Sequence, residues 1–319
     1  MQKRWDILSF GVVTVDDILT VPHFPGPESK TPITACERQG GGLSGTALVA
    51  AARLGARCAY AGVLGHDVLS DYVLREFEKE GVDCSLAGRR EGIRPIHSVI
   101  VVDAAAHTRA IFFNRLEFHS RRPEEISSEM IEPARVLFVD HYGTPATIQA
   151  LQIARAAGVP SVADIERDND DPRIATVIEL VDHLIVSAEF ARVLTGAADP
   201  AAAVKALAGN RRACIAVTAG ADGCWFAAAD SPQAVHQPAF RVPVVDTTGC
   251  GDIFHGAYAA MIAKGKPIGE AIRYAAAAAA IKAMHTGGRA GAPRLEELER
   301  FLAEGGEGER GRWGDGVMG

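Results

Sequence analysis

Residues 242–265 read VPVVDTTGCGDIFHGAYAAMIAKG, and the residue types there suit the handling of an anion. Gly249 and Gly251 allow a tight turn that presents successive backbone N–H groups in one direction, with the amide of Cys250 between them. The small-residue run that follows predicts a helix. Its first turn adds unpaired N–H donors and the positive end of a dipole. Asp252 stands at the entrance of that helix, a carboxylate beside a seat for phosphate oxygens. This suits phosphoryl transfer, where an acid orients a hydroxyl nucleophile while fixed donors absorb the charge on the moving group. Alone, Asp252 would read as a helix N-cap. The flanking glycines, and a preceding strand predicted from Val242, Val244 and Val245, argue for a site instead. A helix N-terminus is expected to lower the pKa of the Cys250 thiol and open it to alkylation, while the backbone amides carry the function. His255, further along the helix, is expected to be packed rather than catalytic.

Such residues need a scaffold that joins distant segments. The chain has 319 residues, 48% of them hydrophobic, enough for one large domain with an embellishment. Strands are predicted at 5–13, 58–64, 136–139, 161–163, 183–186, 214–218 and 224–228. Helices at 46–54, 68–80, 146–157 and 174–181, with two more before residue 214, alternate with them. That rhythm predicts an α/β fold, a doubly wound and mostly parallel sheet with helices on both faces. Ligands of such folds bind at the carboxyl ends of the strands, where Asp16, Asp140, Asp164, Thr218 and Asp252 fall. A strand at 33–39 and a hairpin at 96–102 and 109–113 break the rhythm and are assigned to a small β-rich lid. The large domain is then 1–13, 41–93 and 119–303, and the lid 14–40 and 94–118. Helices at 268–285 and 295–303 close the domain, and 304–319 reads as a disordered tail.

The net charge of −7 argues against nucleic acid and anionic membranes as partners. An acidic chain that binds a nucleotide must concentrate positive potential locally, and glycine-presented amides do so without charged side chains. The six cysteines show no C-x-x-C and no metal spacing. The stretch MQKRWDILSFG lacks the apolar core of a secretory leader, and no apolar window reaches membrane-spanning length. A reduced, cytoplasmic setting is expected.

Gly40-Gly-Gly-Leu-Ser-Gly45 matches G-x-G-x-x-G, with Asp67 at a ribose-binding distance downstream. A dinucleotide fingerprint needs a buried strand ending at its first glycine, and the preceding TACERQ is polar. A glycine turn that lets a small polar ligand approach backbone amides is the better reading. No G-x-x-x-x-G-K-[ST] is present, which excludes a P-loop. Thr218, Gly220 and Gly223 bracket a turn read either as a plain hairpin or as a nucleotide-facing loop. The run Gly287-Gly288-Arg289-Ala290-Gly291 reads as a helix cap with a loop, and Lys30 and Arg115 as basic residues near the lid.

With these elements in place, the chain resembles the ribokinase (PfkB) family of carbohydrate kinases over about residues 11–301. Asp246-Thr-Thr-Gly-Cys-Gly-Asp252 matches the D-T-x-G-[AC]-G-D signature at every fixed position. GGGLSGTALVAAARLG, residues 40–55, matches the N-terminal signature in its glycines, its alanine-rich helix and its closing Arg-Leu-Gly. The resemblance implies that Asp252 is the catalytic base and that the amides of Gly249, Cys250 and Gly251 form the anion hole. It implies sugar contacts at Asp16, Gly41 and Gly42, with Thr46 beside them, and an ATP site bordered by Thr218, Gly220, Gly223 and Gly288. Asp246 and Thr248 fall where members bind a monovalent cation such as K+, and Mg2+ would arrive with ATP. A homodimer through the lid is also implied.

Two departures narrow the substrate. Thr46 stands where most members have an Asn, which removes a bidentate amide. In Ser187-Ala-Glu189-Phe190, before Leu194-Thr195-Gly196, the glutamate is displaced by one position from the usual N-x-x-E. Both departures, and the FHGA after the signature, are similar to the ketohexokinase and sulfofructose kinase branches. Lys30 and Asn114 fall near positions where the sulfofructose branch grips its anionic group, while the assisting arginine is replaced around Tyr142. The expectation is ATP-dependent phosphorylation of a primary hydroxyl on a ketohexose or related sugar. A nucleoside kinase of the same fold, an NAD-dependent oxidoreductase built on Gly40–Gly45, and a non-catalytic sugar-binding protein are the alternatives.

Overall fold

A computed structural model describes residues 3–106, 108–167, 171–209, 212–229 and 231–305. Short runs rich in Val, Ile, Leu and Ala, with the polar Ser231–Gln237 at one edge, line up as the strands of one eight-stranded sheet. Its order is Ser231–Gln237, Cys224–Ala228, Cys214–Thr218, His183–Ser187, Ser161–Asp164, Ala134–Asp140, Trp5–Ser9, Cys58–Tyr60. The six strands from Cys58–Tyr60 to Cys214–Thr218 are parallel, and the last two are antiparallel. Two-sided burial is what a parallel sheet covered by crossover helices demands. Side chains alternate between two cores: Ile7, Val136 and Ile185 face one, while Leu8, Leu137 and Leu184 face the other.

The helix Cys250–Ala263 crosses the first core against Leu43–Arg53. The two backbones approach closely because residue 256 is glycine. A Cβ there would lie 2.8 Å from Ala47 Cα. This contact sets the start of the signature helix beside the glycine run 40–42.

A second sheet of four strands has the order Ala35–Gly41, Thr14–Val21, Ile96–Asp103, Thr108–Asn114. Thr14–Val21 pairs antiparallel with Ala35–Gly41 and parallel with Ile96–Asp103, so Asp16 lies between Gln39 and Ser98. The edge strand Thr108–Asn114 leaves Ile111, Phe112 and Phe113 more than half uncovered, or at half for Ile111.

Three expectations are corrected. The strand predicted at 5–13 ends at Ser9. The strand predicted at 58–64 is two strands: Cys58–Tyr60 stays in the large sheet, while Val63–Leu64 pairs with Gly88–Arg89. No strand forms at Val242, Val244 and Val245. Pro243 lacks an N–H for a ladder, Val244 and Val245 are exposed, and Val245 N–H instead donates to Ala283 O (2.7 Å). The strand that precedes the signature is Ser231–Gln237. It was not legible because SPQAVHQ is polar and contains a proline, which an edge position tolerates. Of the tail assigned to 304–319, residues 306–319 lie outside the described residues. Among the described residues, no helix is long and apolar enough to cross a membrane.

Candidate active site

The signature turn is built by one left-handed residue. Gly249 has φ 76°, and a Cβ there would stand 2.5 Å from Gly288 O, so both its conformation and its neighbour require glycine. The helix starts at Cys250, and its first internal bond runs from Ile253 N–H to Gly249 O (2.9 Å). Cys250 N–H is drawn into the turn by Thr247 O (3.2 Å). Of the three anion-hole amides expected at 249–251, that of Cys250 is thus engaged, while those of Gly249 and Gly251, and that of Asp252 in the first turn, have no backbone acceptor among the described residues. Gly251 is exposed there, and Asp252 is half-buried beside it.

Burial and the nearby carboxylates of Asp164, Glu166 and Asp16 push the Asp252 carboxyl well above the usual range, with Arg289 opposing them. Asp164, at the end of its strand, is pushed up in the same way by burial, Glu166 and Asp140. Its Oδ2 is buried without a hydrogen-bond partner. His255 Nδ1 stands 3.3 Å from that oxygen but is directed to Gly251 O at 2.7 Å, and Nε2 faces Ile185 O at 3.1 Å. His255 is therefore a packed residue that holds the turn from below, in keeping with its sequence reading.

Of the residues expected on the sugar side, Asp16 lies in the second sheet within electrostatic reach of Asp252. Asp16 Oδ1 accepts from Thr14 Oγ1 (2.9 Å), and burial raises the carboxyl against hydrogen bonds from Thr14 and Ser98 and the charge of Arg289. A Cβ on Gly41 would strike the Asp16 carboxylate and Thr14 Oγ1, and one on Gly42, with φ 87°, would lie 2.6 Å from Val12 O. The glycines thus bring backbone to the carboxylate. Thr46 is buried one turn into the helix, its N–H donating to Gly42 O (2.8 Å).

Arg289 is the residue that motif reading missed. It is buried, donates through Nη2 to Gly41 O (3.0 Å), and lies 5.8 Å over the Phe77 ring. Burial lowers it to about 10, while Asp16 counteracts. The one available signal was an arginine between glycines in a cap sequence.

On the other side of the turn lies a cavity of about 460 Å³. Thr218, Gly220 and Gly223 line it from the hairpin between the last parallel strand and its antiparallel neighbour, and Cys250 and Gly251 line it from the signature. Phe240, Phe254 and Ala279 make its walls apolar. The 218–223 turn is a hairpin turn, and it borders the cavity. Gly288 is not on that wall; it backs Gly249 and donates N–H to Gln39 Oε1 (3.2 Å).

Some sequence candidates stay apart from this site. Lys30 is exposed in its loop. Asn114 is exposed, accepts from Leu116 N–H (3.0 Å), and borders a small cleft with Arg94, His97 and Glu117. Asp67 caps the helix Val68–Lys79 by accepting from Leu69 N–H (2.9 Å) and Ser70 N–H (3.3 Å), so it is not free for a ribose. Asp246 Oδ1 accepts from Thr248 N–H (2.8 Å) and Oγ1 (2.6 Å), and Oδ2 from Gly287 N–H (2.9 Å).

The Cys250 expectation is reversed. Burial pushes the thiol up, Asp246 and Asp252 add to the shift, and Lys282 opposes it. Its Sγ donates to Ala279 O (3.5 Å). The helix dipole is outweighed. Iodoacetamide is therefore expected to label exposed Cys36 well before Cys250. A peptide map showing Cys250 labelled first would reinstate the reactive thiol.

Residues 5–295 match the family described as pfkB family carbohydrate kinase. The chain belongs to that family. This kinase is 26% identical over 314 residues to a ribokinase of Haemophilus influenzae, covering 95% of this chain and 99% of that one. It is 27% identical over 327 residues to fructokinase-1 of Oryza sativa subsp. japonica, covering 93% and 97%. The crystal structure of a putative ribokinase from Agrobacterium tumefaciens superposes with TM-score 0.87 at 29% identity, over 96% and 99% of the two chains. A putative ribokinase II from E. coli in complex with ATP and Mg2+ shares the fold, with TM-score 0.78 at 20% identity over 95% and 100%. The kinase is thus a sugar kinase of the ribokinase and fructokinase type.

Proposed function

We propose that this kinase transfers the terminal phosphoryl group of ATP to a primary hydroxyl of a small sugar, a ketohexose or a close relative. The observation that carries the reading is the position of Asp252. It stands within electrostatic reach of Asp16 and Arg289 on one side and next to the cavity-lining amide of Gly251 on the other. Asp16 and the backbone at Gly41 and Gly42 would bind sugar hydroxyls, and Asp252 would orient the one that attacks and take its proton. The proton leaves late in a loose transition state, so positioning matters more than basicity. The first-turn N–H groups would stabilise the charge on the transferred phosphoryl.

The apolar cavity suits a purine, and its mouth opens on the turn. Among the described residues, no group of three or more His, Cys, Asp or Glu side chains is arranged to hold a metal ion. Mg2+ would therefore be carried by the nucleotide phosphates and water, with the crowded carboxylates of Asp164 and Glu166 gaining from a cation nearby. Bound there, it would neutralise phosphate charge.

The four-stranded sheet would act as a lid that excludes water from the bound sugar. Its uncovered edge, with Phe112 58% and Leu116 87% exposed, supports a homodimer through the lid. Six free cysteines support a cytoplasmic setting. Thr46 in place of an amide side chain favours a ketohexose over ribose.

A coupled ADP-release screen over ketoses, aldoses, sulfosugars and nucleosides tests the assignment. The highest kcat/KM is expected with a ketohexose. Preference for a nucleoside would put the nucleoside kinase first, and absence of sugar-dependent ADP throughout would remove the kinase reading.

A further inference from the structure

A buried lysine sits behind the signature turn. Lys282 follows Ala271, Ala275 and Ala278 on the inward face of the helix Ile268–Ala283, and its side chain has 0% exposure. Its Nζ donates to the backbone carbonyls of Asp246 (2.7 Å) and His285 (3.0 Å) and lies 3.9 Å from Asp246 Oδ2. Burial raises the Asp246 carboxyl, but Thr248, Gly287 and Lys282 together hold it below the usual range. A second cation, Arg109 on the edge strand of the four-stranded sheet, reaches to 3.7 Å from Asp246 Oδ1.

The resemblance to the PfkB family led us to expect a potassium ion at Asp246 and Thr248. The residues present do not fit one. A potassium ion would need several converging oxygens, and the carbonyls of Asp246 and His285 are already bonded to the ammonium. Both carboxylate oxygens accept from Thr248 or Gly287. An added monocation would also face the charges of Lys282 and Arg109, and like charges repel strongly where solvent is scarce. An alkylammonium carries the same charge as potassium and is of similar size. A buried lysine survives only where carbonyls and a carboxylate compensate its lost hydration, which is the environment found here.

We propose that Lys282 is a tethered monovalent cation for the signature turn, which fixes the Asp246 carbonyl against the end of the helix Ile268–Ala283 and makes turnover independent of potassium. Lys282 acts through the turn and is a positioning residue. The inference rests on the reading of that turn as the anion hole.

The test uses the whole chain, in potassium chloride and in choline chloride at equal ionic strength. Wild-type kcat is expected to differ by less than about fivefold, below ordinary coupling between two bound ligands, and activation beyond that would overturn the proposal. Thermal unfolding supplies a readout free of catalysis. Tm should be equal in choline, potassium and thallium salts, because an ion bound only by the folded state raises Tm with the logarithm of its concentration relative to Kd. An ion-specific rise goes against the proposal. A folded Lys282→Met variant is expected to lose about fivefold or more in kcat in choline and to regain part of it with potassium or ammonium. Full turnover in choline, or a loss that neither ion restores, overturns the proposal. Should that variant not fold, the wild-type comparisons decide. Failure of the kinase reading looks different: no sugar releases ADP in either salt, and the Tm comparison still rules on the cation.

Discussion

An Asp252→Asn enzyme is expected to fold, bind ATP as before, and turn over about 10²–10⁴ times more slowly, the usual loss for a positioned acid–base group. The asparagine keeps the shape of the side chain but lacks the basic carboxylate that would take the hydroxyl proton. Near-normal kcat in the folded variant would take Asp252 out of the mechanism. The pH profile adds a second check. Burial and the charges of Asp164, Glu166 and Asp16 raise the carboxyl, and the base must be ionised to act. kcat/KM of the parent should therefore fall on acidification through a value above the ordinary carboxylate range. The same shift has a stability sign. A carboxyl whose folded pKa is raised disfavours the fold increasingly as pH rises from the unfolded to the folded value. Removing the charge should leave Tm at neutral pH equal to or above that of the parent. Function here opposes stability, as a site crowded with carboxylates implies.

Asp16→Ala should raise the KM for sugar by about 10–150-fold with a smaller effect on kcat, the range set by losing a hydrogen bond to a charged group at about 1.5–3 kcal/mol. Asp16 has no competing backbone partner and is pressed against Gly41, so its carboxylate has lone pairs to offer a ligand. Steady-state titration of the best sugar from the ADP screen measures it. An unaltered KM would move the sugar pocket away from the sheet that contains Thr14–Val21. The substitution also strips Arg289 of its largest opposing charge, so part of the change comes from a buried guanidinium left with less compensation.

Much of this arrangement is written locally. Apolar runs separated by helical segments specify a parallel sheet, because two-sided burial and crossover chirality leave few alternatives. Gly249 and Asp252 are legible for a similar reason. A left-handed residue and a helix start are properties of a few adjacent positions. The edge strand Ser231–Gln237 was not legible, since its pairing is purely backbone and its composition polar, and the valines at 242–245 misled because hydrophobicity without N–H partners makes no ladder.

What the chain order could not reveal is the electrostatic character of the site. Cys250 sits at a helix N-terminus, yet burial and the carboxylates of Asp246 and Asp252 override the dipole. Arg289 reads as part of a cap and loop, and nothing in the sequence marks Lys282, until folding buries one against Gly41 and the other against the Asp246 carbonyl. By itself the sequence determined the scaffold, the turn and the carboxylate, because each follows from spacing along the chain. Tertiary structure alone decided which charges are desolvated and what opposes them, because those depend on segments as far apart as Asp16 and Arg289, 273 positions along the chain, meeting in space.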